Sequence, residues 1–482
     1  MRHISALVAG IALAVAVAGC SRPTGVAAAA DAMGATNLNS IQFSGTGANF
    51  AFGQAYSPGG PWPRFDVKSY TAAVDYQAPA MRLEMVRAQG EHPPRGGGAQ
   101  PFAVDQRTVQ VVSGTFAWSE GGAQPAPNPA AVDDRLRQIW VTPHGVVKAA
   151  VAGGVTATGN TFTVKAENRD VKVTLDDQNL VQKVEYVLSN SVIGDYPVEV
   201  TYSDYADYGG VKFPKHIVEK QDGFETLDLT VTDVKPNAAV ALPVPANVSS
   251  APAPPASVAV TIEKVADGIW SVNGAGTRSL AVEFADHIVM LEGPTSDARS
   301  KAANELVRKT VPSKPITYVV NTHAHYDHAG GLRQYVAEGI TVITHESNKA
   351  FYEQAWARPH TVEDTAPTSN KPTIETVADK KVLSDRTRTV ELYFLAGHGH
   401  HTGQLIAYLP KERILLYGDA YNPPAGDEIR TPERGPEYAA QLYQKIQELK
   451  LTPTRIAPVH GRVVPFQNML IAFGLNGPNA TR

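Results

Sequence analysis

The sequence predicts an α+β protein in two folded parts, an antiparallel β-rich N-terminal domain followed by a C-terminal domain in which strands and helices alternate. Three observations carry this. Segments of alternating polarity, broken by Gly, Asp and Asn, recur through residues 37–242, the pattern of half-buried antiparallel strands. Residues 243–257 (PVPANVSSAPAPPAS) are rich in Pro, Ala and Ser, the composition of a semi-rigid linker. From Val258 to the end, strand-length apolar runs alternate with segments of helical period. A chain of 482 residues is long enough for two to three domains.

Composition removes several function classes. Lys and Arg number 43 against 47 Asp and Glu, a net charge of −4. That lacks the basic excess with which proteins neutralise nucleic-acid phosphates, so no nucleic-acid partner is expected. The single cysteine excludes an intramolecular disulfide. Of the 14 histidines, ten lie between His287 and His460.

The first twenty residues read as an address. A short basic start is followed by an apolar run at 4–17, too short for the roughly 20 residues of a membrane-spanning helix. The run ends in Val17-Ala18-Gly19-Cys20. This resembles the lipobox of bacterial lipoproteins, in which the cysteine is lipidated and becomes the mature N-terminus. The other reading is a simple cut after Ala16-Val17-Ala18. Either implies export. Ser21, in place of Asp, implies by the same resemblance an outer-membrane lipoprotein on the periplasmic side, held by a lipid on Cys20. Residues 21–36 (SRPTGVAAAADAMGAT) then read as a tether.

Within 37–242, strands are expected at 108–112, 161–165, 171–175, 184–188, 196–202 and 226–231, a helix near 129–139, and a loop at 90–101 (GEHPPRGGGAQP). The segment 198–237 resembles the closing strands of periplasmic lipoprotein-carrier half-barrels, curved sheets that hold acyl chains. The plain alternative is a packed β domain with no ligand. His92, His144 and His216 are isolated and show no metal-ligand spacing.

In the C-terminal domain, 258–482, strands are expected at 269–272, 280–284 and 288–291. A helix follows over Asp297–Thr310, capped by Thr295 or Ser296. A strand at 316–321 then runs into Thr322-His323-Ala324-His325-Tyr326-Asp327-His328. Two histidines two apart on a chain leaving a strand can face one ion, and the next Asp-His pair can reach a second. Four ligands in six residues suit borderline metals such as zinc. Further candidates follow later strands: His398, His400 and His401 after 390–395, Asp419 after 414–417, and His460 after 455–458. Ligands at the carboxyl ends of strands are how α/β sites are built.

These four separated motifs, in this order over 260–465, resemble the metallo-β-lactamase fold superfamily. The resemblance implies an αβ/βα sandwich and two Zn2+ ions per chain. It assigns His323, His325 and His400 to the first ion, and Asp327, His328 and His460 to the second, with Asp419 bridging. His400 is preferred because it lies five residues before Leu405, the first apolar residue of the next strand; His401 is the rival, and His398 is expected at the entrance. Glu292 follows the strand 288–291 where the superfamily usually has Asp, and would support the metal loop from behind. Tyr421, Asn422 and the loop 423–436 are expected to touch a small-molecule substrate.

The implied activity is hydrolysis by a metal-bound hydroxide, with Asp327, His323 and His325 in catalytic roles. Asp419 stands where one large group of β-lactamases has cysteine. That points to an ester, thioester, lactone or phosphodiester-type bond, with a β-lactam as an alternative. Two further readings remain, an iron-dependent sulfur oxygenase on the same fold and an envelope lipid- or lipoprotein-binding protein. The linker predicts that residues 258–482 fold, load metal and hydrolyse small substrates without the N-terminal domain.

Overall fold

The structure, a computed structural model, describes residues 25–253, 257–362, 371–429 and 433–475. Cys20 and the leader lie outside them.

The N-terminal domain begins with helix α1 (Gly25–Ala32) and is built on one twelve-stranded antiparallel sheet. Its strands are β1 (Ser40–Phe50), β2 (Arg64–Asp75), β3 (Ala80–Gln89), β4 (Gln106–Ser113), β5 (Phe116–Glu120), β6 (Ala126–Pro127), β7 (Thr161–Ala166), β8 (Arg169–Leu175), β9 (Val181–Asn190), β10 (Gly194–Asp207), β11 (Lys212–Gln221) and β12 (Phe224–Pro236). The order is β6-β5-β4-β3-β2-β1-β12-β11-β10-β9-β8-β7, so two meanders meet at a central seam between β1 and β12. Between β6 and β7 come α2 (Val132–Trp140) and α3 (Pro143–Ala152), the latter capped by Thr142, whose hydroxyl accepts from Gly145 N at 3.1 Å. Helix α2 touches β3, β4 and β5 near one end of the sheet and β7 at the other. The sheet therefore curls around this helix, a half-barrel.

Two boundaries differ from expectation. The supposed tether contains α1, whose Ala28, Ala29 and Ala30 are buried and which packs on α3. Alanine has the highest helix propensity and lets helices approach closely, so a composition that reads as flexible becomes structure. The expected linker also packs in part. It holds the short helix α4 (Ala246–Ser249), and Val248 sits against Val109, Val111 and Trp118.

The C-terminal domain is a sandwich. Its first sheet runs β13 (Thr261–Ala266), β14 (Ile269–Gly274), β15 (Thr277–Glu283), β16 (Ile288–Leu291), β17 (Ile316–Val320), β18 (Thr341–His345) and β19 (Ile374–Val377). The second runs β20 (Lys380–Ser384), β21 (Thr389–Phe394), β22 (Leu405–Leu409), β23 (Ile414–Tyr417), β24 (Arg455–Pro458) and β25 (Val464–Pro465). Strand periodicity dictates the layers. Leu405, Ala407 and Leu409 of β22 face the first sheet, while Ile406 and Tyr408 face the outer helices α9 (Glu437–Glu448) and α10 (Phe466–Ala472), because alternate side chains of a strand point to opposite faces. On the outside of the first sheet lie α5 (Asp297–Thr310), α6 (Tyr326–Ala329), α7 (Leu332–Ala337) and α8 (Glu346–Ala355). Helix α5 matches its predicted bounds, and Ser296 Oγ accepts from Arg299 N at its start.

The domains are not beads on a string. One continuous apolar core joins the N-terminal sheet to the outer layer of the first sandwich sheet. Phe52 and Trp62 enclose the ring of Tyr326, at centroid distances of 5.4 and 5.8 Å. Arg358 beyond α8 pairs with both oxygens of Asp222 at 2.8 and 3.0 Å.

Candidate metal centre

Four chain segments leave their strands at one edge of the sandwich: 321–328 after β17, 395–404 after β21, 418–419 after β23 and 459–460 after β24. They bring seven side chains together. His323, His325, His400 and Asp419 form one group of converging donor atoms; Asp327, His328, Asp419 and His460 form a second. Asp419 belongs to both.

In the first group His323 Nε2 lies 3.0 Å from His325 Nδ1 and 3.2 Å from His400 Nε2. Asp419 Oδ2 lies 3.0 Å from His400 Nε2 and 2.9 Å from His328 Nε2. In the second, His460 Nε2 lies 3.0 Å from Asp327 Oδ2 and 3.2 Å from His328 Nε2.

Electrostatics decide what these donors can do. Burial pushes the imidazole pKa values of His323 and His400 down and that of His325 down to about 3. These rings are neutral, and their nitrogens converge on one point, an arrangement that suits a cation among them. Burial works the same way on His328, but Asp419 and Asp327 outweigh it and raise its pKa well above the ordinary value. Burial would raise the Asp419 carboxyl; His328, His460 and His400 override it and hold it far below the usual carboxylate range. The neutral imidazoles of the first group and the ionised carboxylate shared by both groups fit a divalent metal ion, and the second group offers the same kinds of donor atom.

The supports behind the donors are as definite. Glu292, fully buried, lies 3.1 Å from His328 Nδ1 with one oxygen and accepts from Thr322 N at 2.5 Å with the other. It therefore turns His328 Nε2 towards the centre, as partners of metal-binding histidines do. Thr322 Oγ1 lies 3.0 Å from His323 Nδ1.

The neighbours of His400 point elsewhere. His398 is buried, its Nε2 3.1 Å from the carbonyl of Tyr438, so it does not line an entrance. His401 Nδ1 accepts from Gly403 N at 2.9 Å and joins neither group. His345 caps α8 through Ser347 N.

Of the two expected substrate contacts, only Asn422 reaches the cleft beside the donors. Tyr421 is fully buried; its hydroxyl donates to the carbonyl of Ile429 and its ring packs on Phe473. The apolar body of a tyrosine leaving β23 belongs with the helices outside the second sheet. Of the loop 423–436, residues 430–432 lie outside the described residues; Glu433 and Arg434 wall the cleft, and Arg434 donates to the carbonyls of Asp419, Ala99 and Gln100.

All seven donors are C-terminal, but the surroundings are not. The cleft, about 330 Å³, is also walled by Gln54, Gly98, Ala99 and Gln106. Gln54 Nε2 donates to Asp327 Oδ1 at 2.7 Å, and the carbonyl of Ala55 lies 2.9 Å from His325 Nε2. The cleft is therefore walled by both domains, although every donor comes from residues 258–482. Sequence reasoning missed Gln54 because nothing near it has ligand spacing; the Gly/Pro-rich stretch 90–101, read only as a loop, was the available signal.

Residues 290–460 match the family model of the metallo-beta-lactamase superfamily. Among curated proteins, the chain is 38% identical over 76 residues to a linear primary-alkylsulfatase from Pseudomonas sp, covering 16% of this chain and 11% of that protein. It is 28% identical over 156 residues to the 2,4-dinitroanisole O-demethylase subunit beta of Nocardioides sp. (strain JS1661), 32% of this chain and 46% of that one. It is 25% identical over 156 residues to the metallo-beta-lactamase type 2 of Bacillus cereus, 31% and 53% of the respective chains. The chain thus spans about half or less of the length of these relatives.

Proposed function

Because the C-terminal domain belongs to the metallo-β-lactamase superfamily, we propose that the protein is a zinc hydrolase of the bacterial envelope. It holds two ions and cleaves an ester, thioester, lactone or phosphodiester-type bond in a small polar substrate. The observation that carries this reading is the pair of four-donor groups sharing Asp419. His323, His325 and His400 would hold one ion and Asp327, His328 and His460 the other, with Asp419 between them. Ions held there supply Lewis acidity and lower the pKa of bound water from 15.7 towards about 7.

The chain's own residues do the rest. Asp419, braced through its backbone carbonyl by Arg434, keeps the two groups in register. Glu292 fixes the ring of His328. Asp327 and His460 are the more open donors and meet the substrate first. The amides of Gln106 and Asn422 in the same cleft offer hydrogen bonds to a polar substrate and little to an apolar one. Export and a lipid on Cys20 complete the reading and put the cleft on the periplasmic side of the membrane.

The test is metal analysis of the purified full chain, with two zincs per chain expected, followed by a hydrolysis screen. The screen covers esters, thioesters, lactones, phosphodiesters and β-lactams. It adds alkyl sulfates and aryl methyl ethers, the bonds named by two of the relatives. A zinc-loaded chain inert towards every class overturns the proposal, and iron in place of zinc favours the oxygenase reading.

A further inference from the structure

We infer that Gln54 of the N-terminal domain is a positioning residue for the second donor group, so that the metal centre is an interdomain structure. This rests on the reading of the seven donors as metal ligands.

The turn that carries Gln54 follows β1 directly and is fixed on several sides. Gln54 N donates to the carbonyl of Ala51 at 3.2 Å, and its own carbonyl accepts from Gly97 N at 2.9 Å. Its side chain is held at both ends: Oε1 accepts from Gly98 N at 3.0 Å, and Nε2 donates to Asp327 Oδ1 at 2.7 Å. The turn is also clamped to the residue between His325 and Asp327. Gly53 accepts from Tyr326 N at 3.0 Å, and at φ +76 a β-carbon on Gly53 would stand 2.6 Å from the Tyr326 ring. Gly97 is as constrained: a β-carbon there would fall 1.9 Å from Gln54 Oε1 and 2.8 Å from His325 Cε1.

The consequence is a choice between two oxygens. Asp327 Oδ1 is taken by Gln54, which leaves Oδ2, 3.0 Å from His460 Nε2 and 3.6 Å from His328 Nε2, as the donor. A carboxylate free to rotate would offer either oxygen and lose orientation entropy on binding; one held by an amide donor would not. The N-terminal domain sets the first group too, less directly. With the Ala55 carbonyl as partner, His325 carries its proton on Nε2 and presents Nδ1 to His323. That contact is made by backbone, so Gln54 is the point at which the arrangement can be tested.

Partners behind metal ligands typically contribute 10–100-fold in metal affinity. The experiment uses the full chain, with zinc affinities measured by chelator competition and cadmium NMR as a second readout. In Gln54→Leu, one of the two zinc affinities is expected to weaken by about tenfold or more, and one of two cadmium resonances to shift. Gln54→Glu keeps the acceptor for Gly98 N but sets a carboxylate against Asp327, and should weaken the same site further. Arg358→Ala, which removes an interdomain ion pair touching no donor, should leave both affinities unchanged. Wild-type affinities in both Gln54 variants overturn the inference, as does equal weakening of both sites or the same loss in Arg358→Ala. If one Gln54 variant fails to fold, the other decides. A wild-type chain that binds no divalent ion overturns the metal-site reading and this inference with it.

Discussion

His144 in the N-terminal domain and His325 in the C-terminal domain are both enclosed, and burial pushes their imidazoles down, to about 4 and about 3. They differ in what their nitrogens meet. His144 stacks on Phe213 and its Nε2 lies 3.1 Å from the carbonyl of Met33. Among the described residues no titratable side chain is hydrogen-bonded to it, and its place is in the packing of α3 on the sheet. His325 also has one nitrogen on a carbonyl, but the other faces the nitrogen of a second histidine, which faces a third. Burial and a lowered pKa are thus common to a packing histidine and a ligand. Convergence of several possible ligand atoms separates them.

The largest test of that distinction is the shared carboxylate. Asp419→Ala removes a donor from both groups, and zinc content and turnover should fall together, the rate by on the order of a thousandfold. Wild-type metal content and rate would remove Asp419 from its bridging place. His400→Ala should follow, with loss of one zinc and of at least about a hundredfold in rate. His398→Ala and His401→Ala should keep both ions and a measurable rate, since their costs fall on folding. A His401→Ala protein that loses zinc while His400→Ala retains it would reverse the assignment.

His144 gives the complementary measurement. Its folded pKa lies below the ordinary value near 6.5, so between pH 6.5 and 4 the unfolded chain binds a proton that the folded chain does not. Stability therefore falls as the pH drops through that window, by about 3 kcal/mol at its foot from this group. Urea unfolding of the metal-free protein should show a shallower pH dependence in His144→Gln than in the wild type. Parallel profiles would mean that His144 is not neutral and buried. The smallest effect is expected for Glu292→Gln. It keeps an acceptor but puts an amide N–H against either Thr322 N or His328 Nδ1, and should weaken one zinc by about tenfold. Equal weakening of both ions would show that Glu292 serves the whole loop and not His328 alone.

Much of the sandwich could be read in advance because its rules are local. The alternation in β22 and β23 assigns each residue to a face, and the bounds of β16, β23, β24 and α5 come out as read. The donors were legible because each follows a strand. What could not be read depends on contacts between distant segments or on the direction of one side chain. Gln54 and Asp327 are separated by 273 residues, and no periodicity links them. Tyr421 and Asn422 were read as a pair; chain alternation sends one into the apolar layer and the other into the cleft. The Ala-rich stretch of α1 has the composition of both a flexible tether and a helix, and only a surface to pack on decides between them.

The central seam of the N-terminal sheet has a consequence for the order of events when the chain folds. Each meander joins strands adjacent in sequence and can form early, but β1 and β12 pair residues as far apart as Ile41 and Pro236. Closing so long a loop is slow, and on a growing chain it waits until residue 236 has been made. The turn that carries Gln54 is mounted on the end of β1. In refolding, the sandwich should therefore mature first, and the holder of Asp327 should arrive last. Recovery of activity is then expected to lag behind recovery of secondary structure.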